Sequence, residues 1–214
     1  MTALTPRAAP ALRPAFNWRG RLFDMFLLGL IALGLYFRFN WINWNQSADL
    51  HPDEYGLTST ITQLRLPQSL GEYFNTRLSP LSPYQKYDLD GQPTEPGPDN
   101  RMRWGQWPIT LIRFTAEATG NTEYGKMRLM GRVLSALADA LALLFIYLIG
   151  RRLYSNRAGL LAAALSALAV MQIQQSHFMT ADNFATLFTL MTMFCAVMAA
   201  APGQIGRASC RERV

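Results

Sequence analysis

Residues 22–43 read LFDMFLLGLIALGLYFRFNWIN. As an α-helix this run is about 30 Å long, the thickness of a bilayer core. Asp24 stands at one edge, and Trp41 and Trp44 form an aromatic belt at the other. The run therefore predicts a membrane-crossing helix, and its bulky Tyr36, Phe37 and Phe39 do not suit a cleaved signal peptide. Half of the 214 residues are hydrophobic. The mean hydropathy is only +0.05, because a long polar loop dilutes the apolar runs. The chain reads as an all-α integral membrane protein with about four transmembrane helices.

Upstream, Arg7, Arg13, Arg19 and Arg21 lie in a Pro/Ala/Arg-rich stretch without an acidic residue. Residues 1–21 are expected to form a disordered cytoplasmic arm. Downstream, residues 45–126 form a long outer loop with short juxtamembrane helices. Helices are expected over Asp53–Leu66, ended by Pro67, and over Ser69–Arg77. Residues 79–103 are rich in Pro, Gly, Asp and Asn and predict irregular chain. From Trp104 to Glu117, Trp107, Leu111, Phe114 and Ala118 recur at helical spacing, which predicts an amphipathic helix lying on the outer surface. Further spans are expected at about 127–149, 158–173 and 182–201, with a polar turn over 172–181.

The tail, residues 205–214, reads IGRASCRERV and has no structural logic after an apolar helix. It back-translates to the text of a sequencing-library adapter. The expectation is an artefact beyond about Gly203 or Gln204, with residues 22–203 the N-terminal part of a longer protein and the piece inactive alone. Without Arg207, Arg211, Arg213 and Glu212, the formal charge of +6 falls to +4. Cys195 then stands alone, so no disulfide framework exists.

The charge is distributed by topology. Residues 7–21 and 151–157 carry Arg and almost no acid, and 172–181 carries neither Lys nor Arg. The positive-inside rule places the N-terminus and the 151–157 loop in the cytoplasm and the 172–181 turn outside. No basic stripe is interleaved with aromatics, so no nucleic acid is expected as a partner.

Residues 50–55 read LHPDEY. Pro52 fixes φ and biases His51 to an extended shape, so Asp53 and Glu54 fall in the first turn of a helix, where the dipole favours carboxylates. They serve either as ordinary first-turn acids, or as groups that take a hydroxyl proton or hold a cation. Under the topology above, Asp53, Glu54, His177 and Asp182 share one outer face. Asp182, after Thr180, also suits a helix cap. His177 either fills a turn or contacts a donor phosphate. Arg38 near the outer belt, and Arg128 and Arg132 one turn apart, either snorkel or bind a phosphate. Asp139, in mid-helix, must find a partner inside the bundle, with Ser135 and Ser166 as candidates. There is no zinc spacing, P-loop or Gly-rich dinucleotide motif, hence no nucleotide cofactor.

In order along the chain, Arg38, the His-Pro-Asp-Glu element, Gly131-Arg132, Gly150-Arg151-Arg152 and the turn from Gln175 to Asp182 resemble the GT-C fold glycosyltransferases that use polyprenyl-phosphate sugars. These include the protein O-mannosyltransferases and the aminoarabinose transferases. An aromatic-Pro-Pro-Leu signature found in many of them is matched only in part by Trp107-Pro108-Ile109. The resemblance implies Asp53 as catalytic base with Glu54 beside it. It implies His51, Arg38, Arg128, Arg132, His177 and Asp182 as substrate-binding residues, and Asp53, Glu54 and Asp182 as candidate ligands of a possible divalent cation. The implied reaction is inverting transfer of a hexosyl or pentosyl group from a polyprenyl-phosphate donor to a lipid, glycan or protein hydroxyl, at the outer face of a bacterial plasma membrane. The competing readings are a multi-pass transporter, with Asp139 and Asp182 on an ion path, and a non-catalytic membrane subunit.

Overall fold

The computed structural model describes residues 18–45, 48, 50–75, 77, 79–82 and 105–200, and of residues 18–21 only the backbone. The N-terminal arm, most of the irregular stretch over 79–103 and the tail over 205–214 lie outside the described residues. Eight helices form among those described. They are α1 (Trp18–Phe39), α2 (Pro52–Gln63), α3 (Leu70–Phe74), α4 (Gln106–Ala118), α5 (Tyr124–Leu153), α6 (Asn156–Ala167), α7 (Val170–Ser176) and α8 (Asp182–Ala199).

Three of these, α1, α5 and α8, are long and apolar enough to cross a membrane. The protein is an all-α integral membrane protein. At 30 residues, α5 is about 45 Å long and is the central element, packed against α1, α6 and α8. Close approach to α5 is bought by glycine. A Cβ on Gly159 would lie 2.6 Å from the Tyr147 carbonyl oxygen, and one on Gly150 would lie 2.9 Å from the Gly159 Cα. The backbones of α5 and α6 therefore touch at this crossing. At the other end of α5, the Met179 side chain occupies the space a Cβ on Gly131 would fill.

The third span differs from the expected single helix over 158–173. It breaks after Ala167, and α7 turns away from α6 by 60°. Leu168 and Ala169 at the break are neither Pro nor Gly. The cause lies on α1. Arg38 Nη1 donates to the Ala167 carbonyl at 3.2 Å and Nη2 to that of Ser166 at 3.4 Å. The carbonyl of Ser166 also accepts from the Ala169 amide at 3.3 Å, and both carbonyls lie at the end of α6, where the helix dipole favours a cation. The Arg38 Nε donates to Asp139 Oδ2 at 2.6 Å. Asp139 thus pairs with Arg38 rather than with either serine. Ser135 instead accepts from Asn183 Nδ2 at 2.8 Å, and Ser166 Oγ bonds Gln172.

Beyond the end of α1 that carries Trp41 and Trp44, α2 and α4 pack on the first turns of α5. Leu57, Ile61, Ile109, Ile112, Ala116 and Met127 form one buried core there. Within the protein, α4 packs through Ile109, Ile112 and Ala116. The stripe read from sequence, Trp107, Leu111, Phe114 and Ala118, lies on other sides of the helix and is largely exposed. Phe114 is exposed, and Trp107 lies edge-on to Phe184 and Phe188 of α8. Arg113, off both stripes, donates through Nη1 to the carbonyls of Ile61 and Thr62 at 3.2 and 3.1 Å, and so caps the end of α2.

Candidate functional site

The start of α2 is built as its sequence suggests. His51 is extended, with φ −110° and ψ 117°, and its Nδ1 accepts from the Glu54 amide at 3.4 Å. Pro52 opens the helix, and Asp53 and Glu54 follow in the first turn. Adjacent helical residues point about 100° apart. Here that rotation separates the two carboxylates completely.

Glu54 points inward and is 1% exposed. Arg132 grips it with two charge-assisted bonds, Nε to Oε1 and Nη2 to Oε2, each 2.6 Å. The Met179 amide adds a third donor to Oε1 at 3.0 Å. The remaining nitrogen of Arg132, Nη1, donates to the Ile42 carbonyl at 2.9 Å and to Asn45 Oδ1 at 3.0 Å. Four segments therefore meet at one ion pair: the turn after α1, the first turn of α2, α5, and the turn before α8. Asn45 closes its own turn by donating to the Ala48 carbonyl. In that turn Trp41 holds a left-handed φ of 59°, a conformation unusual for a bulky side chain.

Asp53 points outward. Its carboxylate is exposed and makes no hydrogen bond or ion pair with a described residue. Its helix is held by the pair at Glu54, so Asp53 is a solvent-facing acid on a fixed base.

The turn before α8 reaches the same edge. Phe178 stacks at a tilt on His51, with ring centroids 4.5 Å apart, and lies edge-on to Trp44 at 5.8 Å. His177 bridges α7 and α1, its Nδ1 2.7 Å from the Ile173 carbonyl oxygen and its Nε2 2.8 Å from that of Asn40. Trp41, Trp44, Val170, Ile173, His177 and Phe178 line an apolar groove of about 430 Å³. Asp182 does not cap α8. Ala181 holds the cap position without a side-chain bond, and Asp182 is the first helical residue, accepting from Gln175 Nε2 at 2.9 Å.

The structure thus gathers His51, Glu54, Arg132 and the 177–180 turn at one edge. Arg38 is directed elsewhere, into the bundle with Asp139. Arg128 is buried one turn before Arg132. The described residues form no prepared cage for a divalent cation. Among the described residues no three of His, Cys, Asp and Glu converge, and both oxygens of Glu54 are already taken by Arg132. Reasoning from sequence missed Met179 and Asn45, which act through a backbone amide and a turn amide and carry no charge to draw attention.

Residues 110–208 match the family model described as dolichyl-phosphate-mannose-protein mannosyltransferase. The match covers a little under half of the chain. It includes Arg128, Arg132, His177 and Asp182, and starts after α2. No curated protein and no solved structure matches the chain. Over α4 to α8 the protein is therefore similar to membrane glycosyltransferases of the mannosyltransferase type.

Proposed function

We propose that this protein is a membrane glycosyltransferase that moves a sugar from a polyprenyl-phosphate donor to a hydroxyl acceptor, with inversion, at the edge of the bundle bearing Asp53. The observation that carries this reading is the division of labour between two adjacent acids. Glu54 is consumed by Arg132 and Met179, while Asp53 is rigidly held, exposed and without a partner among the described residues. An acid kept free beside an acid locked in place is what proton removal requires.

In this reading Asp53 accepts the proton of the acceptor hydroxyl as its oxygen attacks the anomeric carbon. The bond from that carbon to the donor phosphate oxygen breaks, and the phosphate leaves with the electron pair. One displacement gives inversion. The prenyl chain lies along the groove of Trp41, Trp44, Ile173 and Phe178, whose apolar lining at the membrane edge supports a lipid-borne donor. His177, with both ring nitrogens held by the carbonyls of Ile173 and Asn40, fixes the wall of that groove, and Arg128 adds positive charge from α5 toward the leaving phosphate. Arg132 acts through Glu54 as a positioning residue. Asp182 and His51 line the acceptor side.

A transporter reading draws on the broken third span, since transporters place ions at such breaks. Here, however, the carbonyls of Ser166 and Ala167 already accept from Arg38, and that of Ser166 also from the Ala169 amide. That leaves less for an ion to replace.

The test is Asp53→Asn in the complete gene product, a nearly isosteric change on an exposed side chain. Transfer of radiolabelled sugar from a polyprenyl-phosphate donor to membrane acceptors should fall by about 10²–10⁴-fold per folded molecule, the usual effect of losing a general base. Near-normal transfer would reduce the His51–Glu54 element to a helix start.

A further inference from the structure

The end of the bundle remote from Asp53 has its own architecture. Arg151 and Arg152 close α5, 19 and 20 positions beyond Arg132, or about 30 Å along the helix. The 151–157 segment adds Arg157 and contains no acid. None of the three arginines makes an ion pair with a described residue. The backbone contact of Gly150 with Gly159 pins α6 against α5 at this level. On the other side, Phe145 of α5 meets Phe194 of α8 edge-on at 5.7 Å. Between them opens a cleft of about 290 Å³, lined by Leu148, Arg151, Arg152, Asn156, Phe194 and Met198. Its lining sets two guanidinium groups and an amide beside the apolar side chains of Leu148, Phe194 and Met198. Arg151 also lies 6.0 Å from the centre of the Tyr147 ring, which restrains its position.

We propose that this cleft binds one anionic glycerophospholipid. The phosphodiester meets Arg151 and Arg152 with Asn156 beside it, and an acyl chain runs over Leu148, Phe194 and Met198. Charge complementarity selects an anion, since the lining is positive and carries no acid. The apolar side chains select a lipid over a free ion, because inorganic phosphate would leave that apolar surface wet. The level selects a bilayer component, since the arginines sit where a membrane helix ends. The site is about 30 Å from Arg132 along α5 and is independent of the transfer reaction.

The full chain, purified in a mild non-ionic detergent, is exposed to dioleoylphosphatidylglycerol, dioleoylphosphatidylcholine or inorganic phosphate. Retained lipid is counted by native mass spectrometry, and thermal unfolding is followed in parallel. Phosphatidylglycerol should be retained and should raise the unfolding temperature, and the other two should not. Arg151→Gln and Arg152→Gln should each weaken retention about fivefold. Arg157→Gln, on the same loop but outside the cleft, should leave it unchanged. Met198→Trp should abolish retention by filling the cleft with both arginines intact. Equal retention of phosphatidylcholine would overturn recognition of the anion, and an equal effect of Arg157→Gln or an ineffective Met198→Trp would overturn the site in favour of diffuse surface charge. Protection by inorganic phosphate alone would overturn the lipid.

Discussion

Asp53 and Glu54 are neighbours in the chain and opposites in environment. Burial of a carboxylate is tolerable only with a strong partner, and Arg132 supplies one in bidentate form. Removing one member of such a pair leaves an uncompensated charge, at a cost of about 3–5 kcal/mol. Glu54→Gln should therefore lower the thermal midpoint of the purified protein sharply, whereas Asp53→Asn should leave it in place. If Glu54→Gln instead lost transfer activity with an unchanged midpoint, Glu54 would belong with the reacting groups rather than beneath them. Neither pairing could be read from local spacing. Arg132 lies 78 residues from Glu54, and Arg38 lies 101 from Asp139. A spacing pattern reports neighbours on one helix, and these partners stand on different ones.

At the scale of elements, the break between α6 and α7 depends on a residue of another helix. Asp139→Leu should leave Arg38 buried and unpaired and reduce the yield of folded protein. Combining Arg38→Met with Asp139→Leu should recover part of the loss by removing both charges. Recovery should be incomplete, because the Ala167 carbonyl then loses the Arg38 donor. A double variant as poor as the single one, by thermal midpoint in detergent, would show that the two residues are not coupled. The spans themselves were legible in sequence, since a bilayer demands about 20 apolar residues in a row and few other structures do. The break was not. Leu168 and Ala169 continue the apolar run without Pro or Gly, and the groups that stop the helix arrive from α1. On α4 a second apolar stripe went unread: Ile109, Ile112 and Ala116 face the α2 core, while Trp107 meets α8.

For the whole molecule, the edge carrying Asp53 and the edge carrying Arg151 must face opposite sides of the membrane, because α5 alone connects them. Thr119 and Ser155 are exposed and flank the two ends of α5. With Cys195 and Cys210 replaced by Ser, a cysteine at Thr119 should react with an impermeant maleimide on intact cells and one at Ser155 should not. Reaction at Ser155 alone would invert the orientation expected from the arginine distribution. The outward faces of α1 and α8 carry Met25, Phe26, Leu28, Phe188 and Met193, all exposed. They are surfaces for lipid or for further apolar helices.

The ion pair of Arg38 with Asp139 also has a history in time. Arg38 leaves the ribosome 101 residues before its partner. At about 5–20 residues per second, that is an interval of roughly 5–20 seconds. Throughout it, the first span holds an arginine one turn inside its outer end with no counter-charge made. The first helix therefore enters the membrane as a provisional occupant, with Arg38 turned toward water. Only when α5 arrives can that side chain pair inward, and the end of α6, made last of the three, then meets a guanidinium group already in place.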